Sequence, residues 1–174
     1  MNYGDIKSHF NNLLNRSDIT AALTETFIDQ GIARIQRQLR TPLNENLSTY
    51  AITSRTTSVV LPSDFLEIIS LYYEDTELQR IPMSKYRAVA VSPIQGSPTT
   101  FIRQQQNLFL HPEPSSGNLV LYYYAEFAPM VQNTDENTLA AVAHDLIIYA
   151  ALTYAADFYL DERAPLFETK YNQF

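Results

Sequence analysis

Residues 107 to 127 read NLFLHPEPSSGNLVLYYYAEF. Two runs rich in Leu, Val, Tyr and Phe flank a Pro-x-Pro loop that ends at Gly117, a pattern that reads as a β-hairpin. In the second run Leu119, Leu121, Tyr123 and Phe127 fall on one side of a strand, and Val120, Tyr122 and Tyr124 on the other. A strand with one face in water alternates apolar and polar residues. This one is oily on both sides, so its second face needs cover from another sheet, a helix or a neighbouring molecule.

Working outward, the period-two texture continues upstream. Residues 58–61, 65–73 within PSDFLEIISLYYED, 78–82, 100–104 and 108–111 predict strands. The stretch 83–91 carries Tyr86 on a predicted helical turn, and VSPIQGSP at 91–98 concentrates turn formers. Residues 43–50 are polar and read as loop.

Helical spacing takes over on both flanks. Tyr3, Ile6, Phe10, Leu13 and Leu14 place a first helix over residues 3–14. A second is predicted over 18–40, capped by Ser17 or Asp18 and stopped by Thr41-Pro42. Its apolar residues follow two lines, one through Ile19, Leu23 and Phe27 and the other through Ile28, Ile32, Ile35 and Leu39. The lines lie about 100° apart on a helix. A helix with two stripes touches two different neighbours, unless Gly31 kinks it between them. A third helix is predicted from Leu139 to about residue 159, with Asn137 or Asp145 at its start, and a last short helix or tail over PLFETKYNQF. The order predicts an α+β fold. Residues 1–42 and 129–174 form a helical bundle, and an antiparallel, sandwich-like β module of residues 43–128 is inserted between its halves.

Composition narrows the chemistry. The chain of 174 residues has no Cys and no Trp, but twelve Tyr and nine Phe. Without Cys there is neither a disulfide framework nor a thiolate metal site. Tyr suits half-wet protein contacts, because the ring buries while the hydroxyl keeps a polar partner. A net charge of −7 argues against groove-binding of nucleic acid, which needs a basic footprint, but not against a surface that DNA merely slides past. The opening MNYGDIKSHF lacks the apolar core of a secretory leader, and the run 146–160 is too short to span a bilayer and contains Asp157. No membrane association is expected.

Chemical motifs are sparse. Glycines at 4, 31, 96 and 117 build no phosphate-cradling loop, and His9, His111 and His144 are scattered. His144 and Asp145 are helix neighbours that point about 100° apart, so they do not form a base and its orienter. Asp157, Asp161 and Glu162 read as a solvated acidic end. No catalytic, cofactor-binding or metal-binding residue is assigned, and no enzyme is expected. Arg34, Arg37 and Arg40 form a basic strip. It either complements the C-terminus of its own helix or meets an acidic neighbour or DNA.

Four segments carry a resemblance: IDQGIARIQRQLRTP, LPSDFLEIISLYY, LFLHPEPSSGNLVLYYYAEF and HDLIIYAALTYAADFYLDE. Through them the chain resembles the head–tail adaptor proteins of tailed bacteriophages. It is also similar to the tail tubular protein A type of short-tailed phages. The family often has Pro before the Asp of the last segment, where this chain has His144. The resemblance implies a virion protein, assembled in the host cytoplasm, that forms a ring of about twelve copies under the portal vertex. Portal, tail or nozzle proteins would be its partners, and DNA would pass through the lumen without sequence-specific binding. In that setting Ile19, Leu23, Phe27, Tyr122 and Tyr124 are expected at the subunit interface. Leu166, Phe167, Tyr171 and Phe174 are expected on a portal-contacting tail, which otherwise docks on its own bundle. Competing readings are a tail terminator or tail-tube subunit, and a small carbohydrate-binding or hydrolytic module using Tyr72, Tyr73, Tyr122 and Tyr124.

Overall fold

The computed structural model describes residues 1–174 and divides into two compact units, one of residues 1–44 with 127–174 and one of residues 45–126. The first unit is helical. Helix α1, Tyr3–Leu14, starts where the Asn2 side chain accepts the Asp5 N–H at 2.8 Å. Its Tyr3, Ile6, Phe10 and Leu14 all point inward. It stops at Asn15, whose φ of 50° is a left-handed turn that Asn tolerates.

Helix α2, Ala21–Gln38, begins three residues later than the sequence predicts, because Thr20 rather than Ser17 or Asp18 caps it, accepting the Leu23 N–H at 3.2 Å. Asp18 instead pairs with Arg16 at 2.8 Å. Both apolar lines of α2 find partners inside the chain. Phe27 meets Phe10 of α1 with ring centroids 6.3 Å apart. On the other line, Ile28 and Ile35 are wholly buried in the helical core. Gly31, one turn from each, lies against the long C-terminal helix. A Cβ at residue 31 would stand 2.8 Å from the Ala151 nitrogen. The glycine therefore permits a close helix crossing; it does not kink α2, which runs unbroken.

The predicted third helix is two helices. Helix α4, Thr138–Val142, is capped by Asn137, which accepts the Ala140 N–H at 2.8 Å. It breaks at Ala143, with φ −134° and ψ 49°, and α5, His144–Phe158, follows with Asp145 in its first turn. Helices α1, α2, α4 and the terminal α6, Ala164–Gln173, all pack on α5. That explains why α5 is apolar nearly all round. Just before α6, Arg163 donates to the Leu13 and Leu14 carbonyls at 3.2 and 2.8 Å, supplying partners for the open carbonyls at the end of α1.

The second unit holds eight strands: β1 Glu45–Ile52, β2 Ser58–Val60, β3 Phe65–Tyr73, β4 Thr76–Glu77, β5 Gln79–Arg80, β6 Thr100–Gln104, β7 Asn107–His111 and β8 Gly117–Ala125. Helix α3, Met83–Ala90, lies between β5 and β6. One sheet has the order β1-β8-β3-β4 and the other β2-β7-β6-β5. The pairing is antiparallel except for β5 with β6, which is parallel.

Two expectations fail here, each for a physical reason. Residues 45–52 are a full strand paired along its whole length with β8. They look like loop because an edge strand is half in water, and only Ile52 is fully buried. The stretch 107–127 is not a hairpin. β7 pairs with β2 and β6, while β8 pairs with β1 and β3, so the Pro-rich loop carries the chain from one sheet to the other. Gly117 makes that entry possible. Its φ is 106°, and a Cβ there would lie 2.6 Å from Glu74 Oε1 and 2.8 Å from the Tyr73 hydroxyl. One core serves both sheets: Leu71, Leu119, Leu121 and Tyr123 from the first meet Val59, Phe101, Leu108 and Leu110 from the second. Phe127 leaves this set and joins the helical core.

Candidate assembly surfaces

The LPSDF turn fixes β8 in place. Asp64 accepts the Tyr123 hydroxyl at 3.1 Å through its side chain and the Glu126 N–H at 2.7 Å through its carbonyl. Phe65 stacks on the Tyr123 ring with centroids 5.8 Å apart. Burial and the neighbouring Asp64 push the Tyr123 phenol up to about 12. The sequence places Asp64 in the turn that opens β3, but nothing local names Tyr123 as its partner.

With Tyr123 anchored inward, Val120, Tyr122 and Tyr124 must point to the far side of the sheet. The register sets Leu47 and Ser70 beside Tyr122, and Thr49 and Tyr72 beside Val120. Tyr72 and Tyr122 meet edge to face, 6.0 Å apart. Leu47, Ile69 and Tyr122 keep 56, 43 and 41% of their surface in water. A shallow groove runs over this face, lined by Glu45, Ile69, Tyr72, Glu74, Asp75 and Tyr122.

The other sequence-chosen residues are placed differently. Phe27 is buried between Phe10, Phe158 and Tyr159, leaving a neighbour little to touch. Ile19, which precedes α2, and Leu23 pack half-buried on the same core. The three arginines of the basic strip have separate partners. Arg34 grips Glu168 of α6 with two hydrogen bonds of 2.9 and 2.6 Å, donates to Thr153 at 3.1 Å and stacks 4.1 Å over the Tyr171 ring. Arg40 caps its own helix by donating to the Gln36 and Leu39 carbonyls. Arg37 lies by the Tyr154 hydroxyl, 3.4 Å away.

The C-terminal segment is a docked helix. Phe167 and Tyr171 are buried, and the Tyr171 hydroxyl donates to Gln38 at 2.6 Å. Leu166 and Phe174 face water. Arg34 lowers the pKa of Glu168 below its ordinary 4.5. A carboxylate with a depressed folded pKa adds stability above its unfolded value and loses it as pH falls through the folded one. Acidification through and below the ordinary carboxylate range should therefore loosen α6, modestly, because much of the carboxylate is in water. Amide exchange along residues 164–173 reads this out. Glu168→Gln should show the faster exchange already at neutral pH, and equal exchange in both proteins would contradict the role.

No group of three or more His, Cys, Asp or Glu side chains is gathered to hold a metal ion. No helix is long and apolar enough to cross a membrane. The features that stand out are the open tyrosine face of β8 and the docked terminal helix. The SU10 adaptor protein family model matches residues 1–174, and the chain belongs to that family, among the structural head–tail adaptors of bacteriophages. No curated protein matches it.

Proposed function

We propose that this adaptor works as a closed ring of about twelve identical copies beneath the portal. The ring joins capsid to tail and lets genomic DNA through its lumen. In each copy, residues 1–44 and 127–174 are the helical bundle, and residues 45–126 the sandwich-like module, inserted in sequence between the two halves. The open tyrosine face of β8 carries the reading, since a closed ring hides such a face in every copy. Leu166 and Phe174 give the portal or a tail or nozzle protein an apolar handhold. At −7 per copy the ring is strongly negative, so DNA is repelled from the wall and does not bind to it.

Light scattering after size-exclusion chromatography, with and without the portal of the same phage, tests this. A ring that binds portal supports it. A ring indifferent to portal moves the protein to the tail tube, and a monomer under both conditions ends the proposal. The paired change Tyr122→Ser and Tyr124→Ser should leave the circular dichroism spectrum unchanged and cut ring yield at least about tenfold in native mass spectrometry, because aromatic anchors dominate interface energy. Undiminished rings would remove these tyrosines from the interface.

A further inference from the structure

Charge in the β unit is sorted by sequence. Residues 45–77 hold Glu45, Asp64, Glu67, Glu74, Asp75 and Glu77 against Arg55 alone, whereas residues 78–112 hold Arg80, Lys85, Arg87 and Arg103 and no acid. The fold turns this into two opposed sides. Glu45, Glu74 and Asp75 rim the tyrosine groove on the outer face of β1-β8-β3, with no base among its lining residues. On the second sheet Leu108 and Leu110 point to the shared core, so Phe109 between them points away from it. Tyr86 of α3 meets Phe109 there, 6.1 Å between centroids. Helix α3 therefore lies on the opposite side of the unit from the groove.

That helix is poorly covered. None of its residues is buried, and Met83 together with Val91 and Ile94 just beyond it are exposed. Lys85 and Arg87 are exposed, and neither has an ion-pair partner within the chain. One side of the unit thus sets acids around its tyrosines, and the other sets bases around Met83, Tyr86, Val91 and Ile94.

We infer that the acidic tyrosine groove of one copy receives the α3 side of the next, Lys85 and Arg87 entering between the acids and over the Tyr72 and Tyr122 rings. Opposite, complementary faces join head to tail, the arrangement that closes into rings. Cations over tyrosine faces and complementary charges give such a contact its register. This rests on the ring proposed above and adds which faces meet.

Charge reversal tests it, on the chain alone and on the chain mixed with its portal. Glu74→Lys with Asp75→Lys gives a chain basic on both sides, and Lys85→Glu with Arg87→Glu gives one acidic on both. Each should need about tenfold more protein for half-assembly than the unaltered chain, since like charges then face one another across the contact. An equimolar mixture should recover, because the two chains alternate. Native mass spectrometry should then find equal numbers of each. Unaltered assembly by both single variants, or no recovery on mixing, would overturn the assignment and leave the ring itself standing. Failure of the unaltered chain to assemble under either condition would sink the ring and this contact together.

Discussion

Replacing Gly31 with alanine is expected to destabilise the helical unit by about 2 kcal/mol, although alanine is the better helix former by about 1 kcal/mol. The gain in propensity is outweighed by a collision. The new methyl would lie 2.8 Å from the Ala151 nitrogen and 3.2 Å from the Ala150 carbonyl carbon and the Ala151 Cα. These are backbone atoms of α5, the helix on which every neighbour packs, so they cannot rotate aside as a side chain would. Relief requires the α2–α5 pair to separate, which loosens the seam that holds Ile28, Ile35, Ile147 and Ala151 out of water. Urea unfolding followed by helical ellipticity should show a lower midpoint at unchanged slope. A midpoint that stays or rises would mean that the two helices are farther apart than the structure has them.

The second large effect contrasts two neighbours on β8. Leu121 is wholly buried in the core shared by the two sheets, so Leu121→Ala should cost about 3 kcal/mol through lost burial and the cavity left behind. The adjacent Tyr122 faces the groove, and Tyr122→Ser should change the stability of the isolated chain by less than about 1 kcal/mol. The same substitution should still weaken assembly. Denaturation monitored by tyrosine fluorescence at protein concentrations low enough to keep the chain monomeric separates the two. Equal losses would show that both sides of β8 are already sealed within one chain.

Much of this was legible in the sequence where local and tertiary demands agree. The α1 boundaries coincide with its apolar period because Asn2 and Asn15 mark its ends as clearly as the core marks its face. β6 was legible likewise, as a short stretch with Phe101 and Ile102 following the turn formers of 91–98. The α+β class followed from the switch of period at each end of the β unit. Three things were not legible. β1 draws its identity from β8, some 70 residues later, and its own side chains are those of a half-wet edge. The loop after His111 looks like a hairpin turn, and nothing local says that its two strands choose different sheets. Arg34, read as part of a strip along one helix, is defined by Glu168 at the far end of the chain. Pattern reading sees neighbours in sequence; these features depend on neighbours in space.

The helical unit is assembled from both ends of the polypeptide, and its staple, Arg163 on the Leu13 and Leu14 carbonyls, bridges almost its full length. During translation, residues 45–126 leave the ribosome before α5 and α6 do. The strands can therefore settle first, and the two leading helices wait with oily sides uncovered until the final turns emerge. Maturation runs from the middle outward. A truncated nascent product would carry a finished β unit beside an unfinished, sticky pair of helices, the species that a chaperone must shield and a protease should find first.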